Sequence, residues 1–233
     1  MIKVILWDID GTLLDFKEAE RHAIKKCFKL FGLGECSEEM LARYSRINRS
    51  YWDRLERGKL TKAEVLVGRF REFFTLEGLA VDQAEAVNTE YQQQLGETIC
   101  FRDQSYELVA KLKGQVKQYA VTNGSYIAQK KKLKLSGLGE LFDGVFISDE
   151  VGFEKPNPRF FDYIWERIGR YNEREVLIVG DSLTSDMQGG RAAGIRCCWY
   201  NPDGLPLPDG VLIEKEIRNL WEIEELLKKE SLR

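Results

Sequence analysis

Apolar residues fall along this chain in two rhythms. In the first, short uninterrupted runs stop abruptly at a polar or glycine-containing turn. Val4-Ile5-Leu6-Trp7 runs into Asp8-Ile9-Asp10-Gly11, residues 116–121 into Asn123-Gly124, and Gly144-Val145-Phe146-Ile147 into Ser148-Asp149-Glu150. Val176-Leu177-Ile178-Val179 runs into Gly180-Asp181, and residues 195–199 precede Asn201-Pro202. Such runs predict strands covered on both faces, as in a parallel sheet. Amphipathic stretches near 104–113, 126–135, 157–169 and 184–193 separate them. Strands alternating with helices of that length predict βαβ units, hence an α/β fold with a parallel sheet flanked by helices.

The second rhythm occupies residues 15–100. No convincing strand is present there, and Ala19, Ala23, Cys27 and Leu30, then Leu55, then Leu66, Phe70, Phe73 and Phe74 recur at helical spacing. Gly32, Gly34, Gly58 and Gly78 punctuate the segment as helix ends. The pattern predicts an all-helical insert of four or five helices, dividing the chain into a core (1–14 and 101–233) and an inserted unit (15–100). An insert at that point hangs over the carboxyl end of the first strand, where open α/β sheets bind ligands. The tail, 214–229, reads as a closing helix packed on the sheet.

Composition narrows the partners. The 233 residues carry 35 Lys or Arg against 38 Asp or Glu, a formal charge of −3. That balance gives no reason to expect a nucleic-acid polymer, and a small anionic ligand stays open. No apolar stretch approaches the length of a membrane span. Five cysteines, with no CxxC pair and Cys197 beside Cys198, suit a reducing compartment. The amino terminus does not read as a secretory signal. The expectation is therefore a cytoplasmic protein, monomer or homodimer.

Four patches carry candidate chemistry. Asp8 and Asp10 crowd two carboxylates at a strand end, which is costly unless a cation or a proton offsets them; a strand end capped by turn-forming residues is the plainer account. Thr122-Asn123-Gly124 offers a hydroxyl and an amide that could grip phosphate oxygens, or is simply an Asn-Gly turn. Lys155-Pro156 opens a helix, and its lysine either balances negative charge or is a solvated loop residue. Asp181 and Asp186 bracket a turn and could give magnesium its oxygen ligands, although Ser182 and Thr184 also read as helix caps. All four patches lie at, or just beyond, the end of an expected parallel strand.

In that order these patches resemble the four signature motifs of the haloacid dehalogenase superfamily. The resemblance spans the core and implies a Rossmann-like fold with a mobile helical cap and magnesium-dependent phosphatase activity. It implies Asp8 as nucleophile, Asp10 as general acid and base, Thr122 and Asn123 as phosphate contacts, and Lys155 as the residue steadying nucleophile and phosphate. Magnesium would be held by Asp8, Asp181 and the backbone carbonyl of Asp10, with Asp186 as ligand or acting through water. An aspartate at position 10 favours phosphate ester cleavage over dehalogenation. The single histidine, His22, lies in the insert and leaves little material for histidine-based nucleophilic chemistry.

The insert should choose the leaving group. Residues 41–73 hold nine Arg or Lys against four Asp or Glu, which could draw in a phosphomonoester or simply form a solvated face. Arg46, Asn48, Tyr51 and Trp52 make a polar and aromatic patch suited to a nucleobase, with core packing as the alternative for Trp52. Residues 47–70 resemble the cap of the bacterial pyrimidine 5′-nucleotidases, and Ile147-Ser148-Asp149-Glu150-Val151-Gly152 is similar to theirs too. The resemblance implies a small phosphorylated metabolite as substrate, a nucleoside 5′-monophosphate first. Phosphoglycolate, a sugar phosphate, or a non-catalytic phosphate-binding module are the alternatives.

Overall fold

In the computed structural model, which describes residues 1–209, 211 and 213–231, six strands form one parallel sheet in the order β3-β2-β1-β4-β5-β6. They are β1 (Val4–Trp7), β2 (Lys117–Thr122), β3 (Gly144–Ile147), β4 (Val176–Gly180), β5 (Arg196–Tyr200) and β6 (Lys215–Ile217). Alternation along β1 explains the uninterrupted apolar run. Ile5 and Trp7 enter one core with Leu108, Leu112 and Ile223, while Val4 and Leu6 enter another with Phe160, Phe161 and Ile164. The order of connection reverses beside β1, between β1 and β4, and such a switch point opens a crevice beyond the carboxyl ends of both strands.

Four α-helices follow β1 and form a separate layer: α1 (Phe16–Leu30), α2 (Glu38–Glu56), α3 (Lys62–Glu77) and α4 (Ala84–Glu97). Local chemistry sets their ends. The side chains of Asp15 and Ser37 cap α1 and α2, Thr61 and Glu64 form a reciprocal capping box on α3, and Gly78 closes α3 with a left-handed φ of 67°. Their shared core is aromatic: Tyr44, Phe70, Phe73 and Tyr91 meet edge to face or tilted. The entering and leaving chains run side by side, with Asp15 N–H donating to Cys100 O and Arg102 N–H to Leu13 O.

The remaining helices are α5 (Ser105–Leu112), α6 (Tyr126–Ser136), the single turn α7 (Ser148–Val151), α8 (Pro158–Ile168), α9 (Gln188–Ala192) and α10 (Glu222–Ser231). The seam between α4 and α6 is close. Ala128 belongs to the helical layer's apolar core, and a Cβ on Gly96 would lie 2.8 Å from the Cβ of Lys131.

Two expectations are corrected. The tail begins with a strand: Lys215–Ile217 pairs with β5 before α10 starts. Three residues are too few to show a strand period, and it was the partner that made them one. The helix expected over 184–193 opens as a wide turn of π-helix, Leu183–Met187, before α9. Among the described residues no helix is long and apolar enough to cross a membrane.

Candidate active site

β1 and β4 lie side by side and end together, so Asp8 and Asp181 emerge into the same crevice. Asp8 N–H donates to Val179 O at 2.9 Å, which extends the sheet register by one residue. Gly11 then turns the chain at φ 93°, and a Cβ there would lie 2.5 Å from Asp181 Oδ2. Turn geometry and the neighbouring carboxylate thus both require glycine. Thr12, fully buried, ties the two loops: its hydroxyl donates to Asp8 Oδ2 at 3.0 Å and accepts from Asp181 N–H at 3.1 Å.

Lys155 and Asp186 complete the centre, both 1 % exposed. The Lys155 ammonium donates to Asp8 Oδ1 at 2.8 Å, Asp186 Oδ1 at 2.6 Å and Val121 O at 2.7 Å. Oxygens of Asp8, Asp181 and Asp186 all lie within 4.8 Å of one another. Burial pushes the Asp8 carboxyl up to about 7; Lys155 offsets part of this and Asp186 adds to it. Asp181 faces solvent at the mouth of the crevice while protein encloses its flanks. Loss of water there, then the charges of Asp8 and Asp186, push its carboxyl well above the usual range. Burial opposes the charge on Lys155, but Asp186 and Asp8 outweigh it and hold the ammonium above its ordinary value. When all three carboxyls are ionised, the one ammonium on Asp8 and Asp186 leaves two negative charges, and oxygen donors at these separations fit a hard divalent cation.

Thr122, buried at the end of β2, accepts from Gly124 N–H through its hydroxyl at 3.1 Å. Asn123, expected as a phosphate contact, lies against Lys155. Its amide accepts from Lys155 N–H and donates to Lys155 O, both at 2.8 Å. The side chain thus clasps the lysine loop. The Asp10 carboxylate also stands outside the acidic ring, held by Gln129 and Lys132 of α6; its expected metal contact is through the backbone carbonyl.

The helical layer departs furthest from expectation. Asn48 is 3 % exposed and lies inside that layer, donating to Glu20 and accepting from Arg69. Its sequence expectation is a substrate contact; the local pattern put a polar side chain on α2 but did not show that Glu20 and Arg69 would surround it. Arg46 is exposed and Trp52 half-buried. Trp52 sits one turn before Glu56 on the same face of α2, and Glu56 reaches the Thr184 hydroxyl beside Asp186. Lys62, at the start of α3, donates to Gly124 O at 3.1 Å and Ser148 Oγ at 2.8 Å and pairs with Asp149. Sequence reasoning missed Glu56, Lys62, Gln129 and Lys132. The capping box of α3 could have drawn notice to Lys62, and helical phase from Ala128 could have singled out Lys132 from its two neighbouring lysines.

A family model of haloacid dehalogenase-like hydrolases matches residues 2–194. The chain belongs to this family. Among its haloacid dehalogenase-like relatives, YfnB of Bacillus subtilis (strain 168) is 36% identical over 229 residues, 98% of this chain and 97% of that protein. A crystal structure of YfnB bound to magnesium, described as revealing interdomain movement, superposes with a TM-score of 0.91 over 97% of this chain and 98% of that one. The pyrimidine 5′-nucleotidase PynA of Streptococcus pneumoniae (strain ATCC BAA-255 / R6) is 34% identical over 87% of this chain and 85% of its own length. The pyrimidine 5′-nucleotidase YjjG of Escherichia coli (strain K12) is 30% identical over 97% of each. The chain is thus a hydrolase with the parallel-sheet core of its family.

Proposed function

We propose that this hydrolase cleaves phosphomonoesters with magnesium through an aspartyl-phosphate on Asp8, and that its substrate is a pyrimidine nucleoside 5′-monophosphate. One observation carries the chemistry: oxygens of Asp8, Asp181 and Asp186 converge at the switch point, and when all three are ionised the one ammonium, on Asp8 and Asp186, leaves two negative charges in excess. Asp8, Asp181, Asp186 and the carbonyl of Asp10 are the groups that would hold magnesium. When bound, the ion offsets charge on the phosphoryl oxygens.

The residues then divide the work. Asp8 attacks phosphorus, and the bond from phosphorus to the ester oxygen breaks. Asp10, protonated, gives its proton to that leaving oxygen. Lys155 keeps Asp8 oriented and balances its charge, and Thr122 faces the transferring group from the end of β2. Asp10, now a carboxylate, takes a proton from water as the water oxygen attacks the acyl-phosphate. Inorganic phosphate leaves and Asp8 is restored.

Residues 15–100 act as a cap over the core formed by 1–14 and 101–233, with Trp52 and Arg46 as candidate contacts to the nucleoside. Similarity to two pyrimidine 5′-nucleotidases over most of their length supports this choice of substrate. Phosphate release from uridine and thymidine monophosphates, phosphoglycolate and sugar phosphates, with magnesium and after chelation, tests it. Release from the nucleotides is expected. Release only from another ester would reassign the substrate, and silence across the panel would defeat the enzyme reading. Asp8→Asn should lower turnover at least ~10³-fold in a folded protein.

A further inference from the structure

Helix α6 grips Asp10 with two side chains. Asp10 Oδ2 accepts from Gln129 Nε2 at 2.6 Å, and Oδ1 pairs with the Lys132 ammonium. Gln129 and Lys132 are three residues apart, so they share a helix face about one turn apart. Both are sealed from water, at 0 % and 1 % exposure. Each carboxylate oxygen thus has its own donor on one rigid element, which defines the plane as well as the position of the group.

Two further features show what this arrangement displaces. Gln129 Oε1 is buried without a hydrogen-bond partner among the described residues, which costs about 1–3 kcal/mol. A glutamine serving only to fill space would not need that orientation. Gly124 supplies the second feature. Its φ is not positive, so turn geometry does not demand glycine there. A Cβ at that position would instead lie 2.1 Å from Gln129 Nε2. The glycine beside the Thr122 loop leaves room for the amide to reach Asp10. Lys132 also faces the helical layer, with its ammonium 5.5 Å from the ring centroid of Phe16, the first residue of α1.

We infer that Gln129 and Lys132 are the positioning residues of Asp10, setting the orientation from which its carboxyl serves the ester oxygen. This rests on the acid–base role given to Asp10 above. A structural rival is that Asp10 serves only to neutralise a buried lysine. The two accounts differ in what happens to esters whose leaving group needs no proton.

The test compares a nucleoside 5′-monophosphate, which leaves as an alkoxide, with 4-nitrophenyl phosphate, which leaves as a stabilised phenolate. The full chain is assayed with magnesium. Single-turnover release of the leaving group reads the first step alone, apart from the water step that both esters share. In it Asp10→Asn and Lys132→Met should each slow the nucleotide about 10²-fold and the nitrophenyl ester less than about 5-fold, because general-acid catalysis serves only the poor leaving group. The double variant should be no slower than Asp10→Asn beyond about 3-fold, since the lysine acts through the aspartate. Lys132→Arg should recover most of the loss, and Gln129→Leu should show the same selectivity more weakly. Equal slowing of both esters, or multiplying effects in the double variant, would overturn the inference.

If Lys132→Met does not fold by circular dichroism, the arginine and Gln129→Leu variants decide by the same comparison. A wild-type chain that releases phosphate from neither ester defeats the phosphatase reading alone. The positioning inference is then decided by crystal structures of wild type and Gln129→Leu. An Asp10 side chain rotated by more than about 30° in the variant supports it, and an unmoved one overturns it.

Discussion

Replacing Gly180 by alanine asks whether the acidic centre is set by contact distances or by charge alone. The added Cβ would lie 2.2 Å from Asp186 Oδ2, 2.3 Å from its Cγ and 2.6 Å from its Cβ. Non-bonded heavy atoms settle near 3.5 Å, so the carboxylate must retreat by about 1 Å. It has little freedom to do so: Asp186 is 1 % exposed, its Oδ1 lies 2.6 Å from Lys155, and its Oδ2 accepts from Ser182 N–H at 3.2 Å. A retreat of that size takes the Lys155 contact out of hydrogen-bond range. Overpacking costs about 1–3 kcal/mol, and a lost hydrogen bond between charged groups about 1.5–3 kcal/mol. Alanine returns about 0.4–1 kcal/mol by restricting the unfolded chain, since the backbone here is not left-handed. The net loss is about 2–5 kcal/mol, or roughly 5–15 °C in the midpoint for a chain of this size. Thermal unfolding followed by circular dichroism measures the first effect. Calorimetric titration with magnesium measures the second, an affinity at least about tenfold lower. A midpoint within about 2 °C of wild type together with unchanged magnesium affinity would refute the reasoning.

The other predictions concern charge inside the fold. Burial, then the charges of Asp186 and Asp53, push Glu56 up to about 7 against the Thr184 hydrogen bond and the Lys155 charge. A carboxyl raised on folding binds its proton more tightly in the folded state, so its stabilising contribution is present below about 4.5 and is lost as pH rises through about 7. Glu56→Gln should therefore raise stability at pH 8 by about 1–3 kcal/mol while changing little at pH 5; urea unfolding at both values checks this, and a gain confined to pH 5 would contradict it. Asp8, also pushed up to about 7, has the same sign. Metal-free protein should therefore lose stability from pH 5.5 to pH 8, and saturating magnesium should remove the part of that loss due to Asp8, which a Glu56→Gln background isolates. Arg69, 1 % exposed, donates to Asn48 and Asn88 and lies over the rings of Phe70 and Tyr91. Arg69→Met would remove the larger of the two cationic influences on buried Glu20, leaving Arg49, and strip Asn48 and Asn88 of the hydrogen bonds it donates; it should cost about 3–5 kcal/mol in denaturant unfolding, and a loss below about 1 kcal/mol would show the network to be dispensable.

Local pattern was enough to locate five of the six strands, the helical segment and the four loops that bear Asp8, Thr122, Lys155 and Asp181. Hydrophobic period and turn residues act within a few positions of themselves, so one chain displays them without its fold. What the tertiary structure alone decided is which side chains meet. Lys155 finds Asp8 across 147 positions, and no local rule marks that pairing. Helical phase can set Lys132 apart from Lys130 and Lys131, yet only the fold shows that it is buried against Asp10. Asn48 and Glu56 lie about two turns apart on α2, yet one is enclosed with Arg69 inside the layer and the other reaches Thr184 of the core. Strand β6 exists because β5 offers it an edge. Burial period is a property of neighbours along the chain, whereas the partner of a buried charge is a property of neighbours in space.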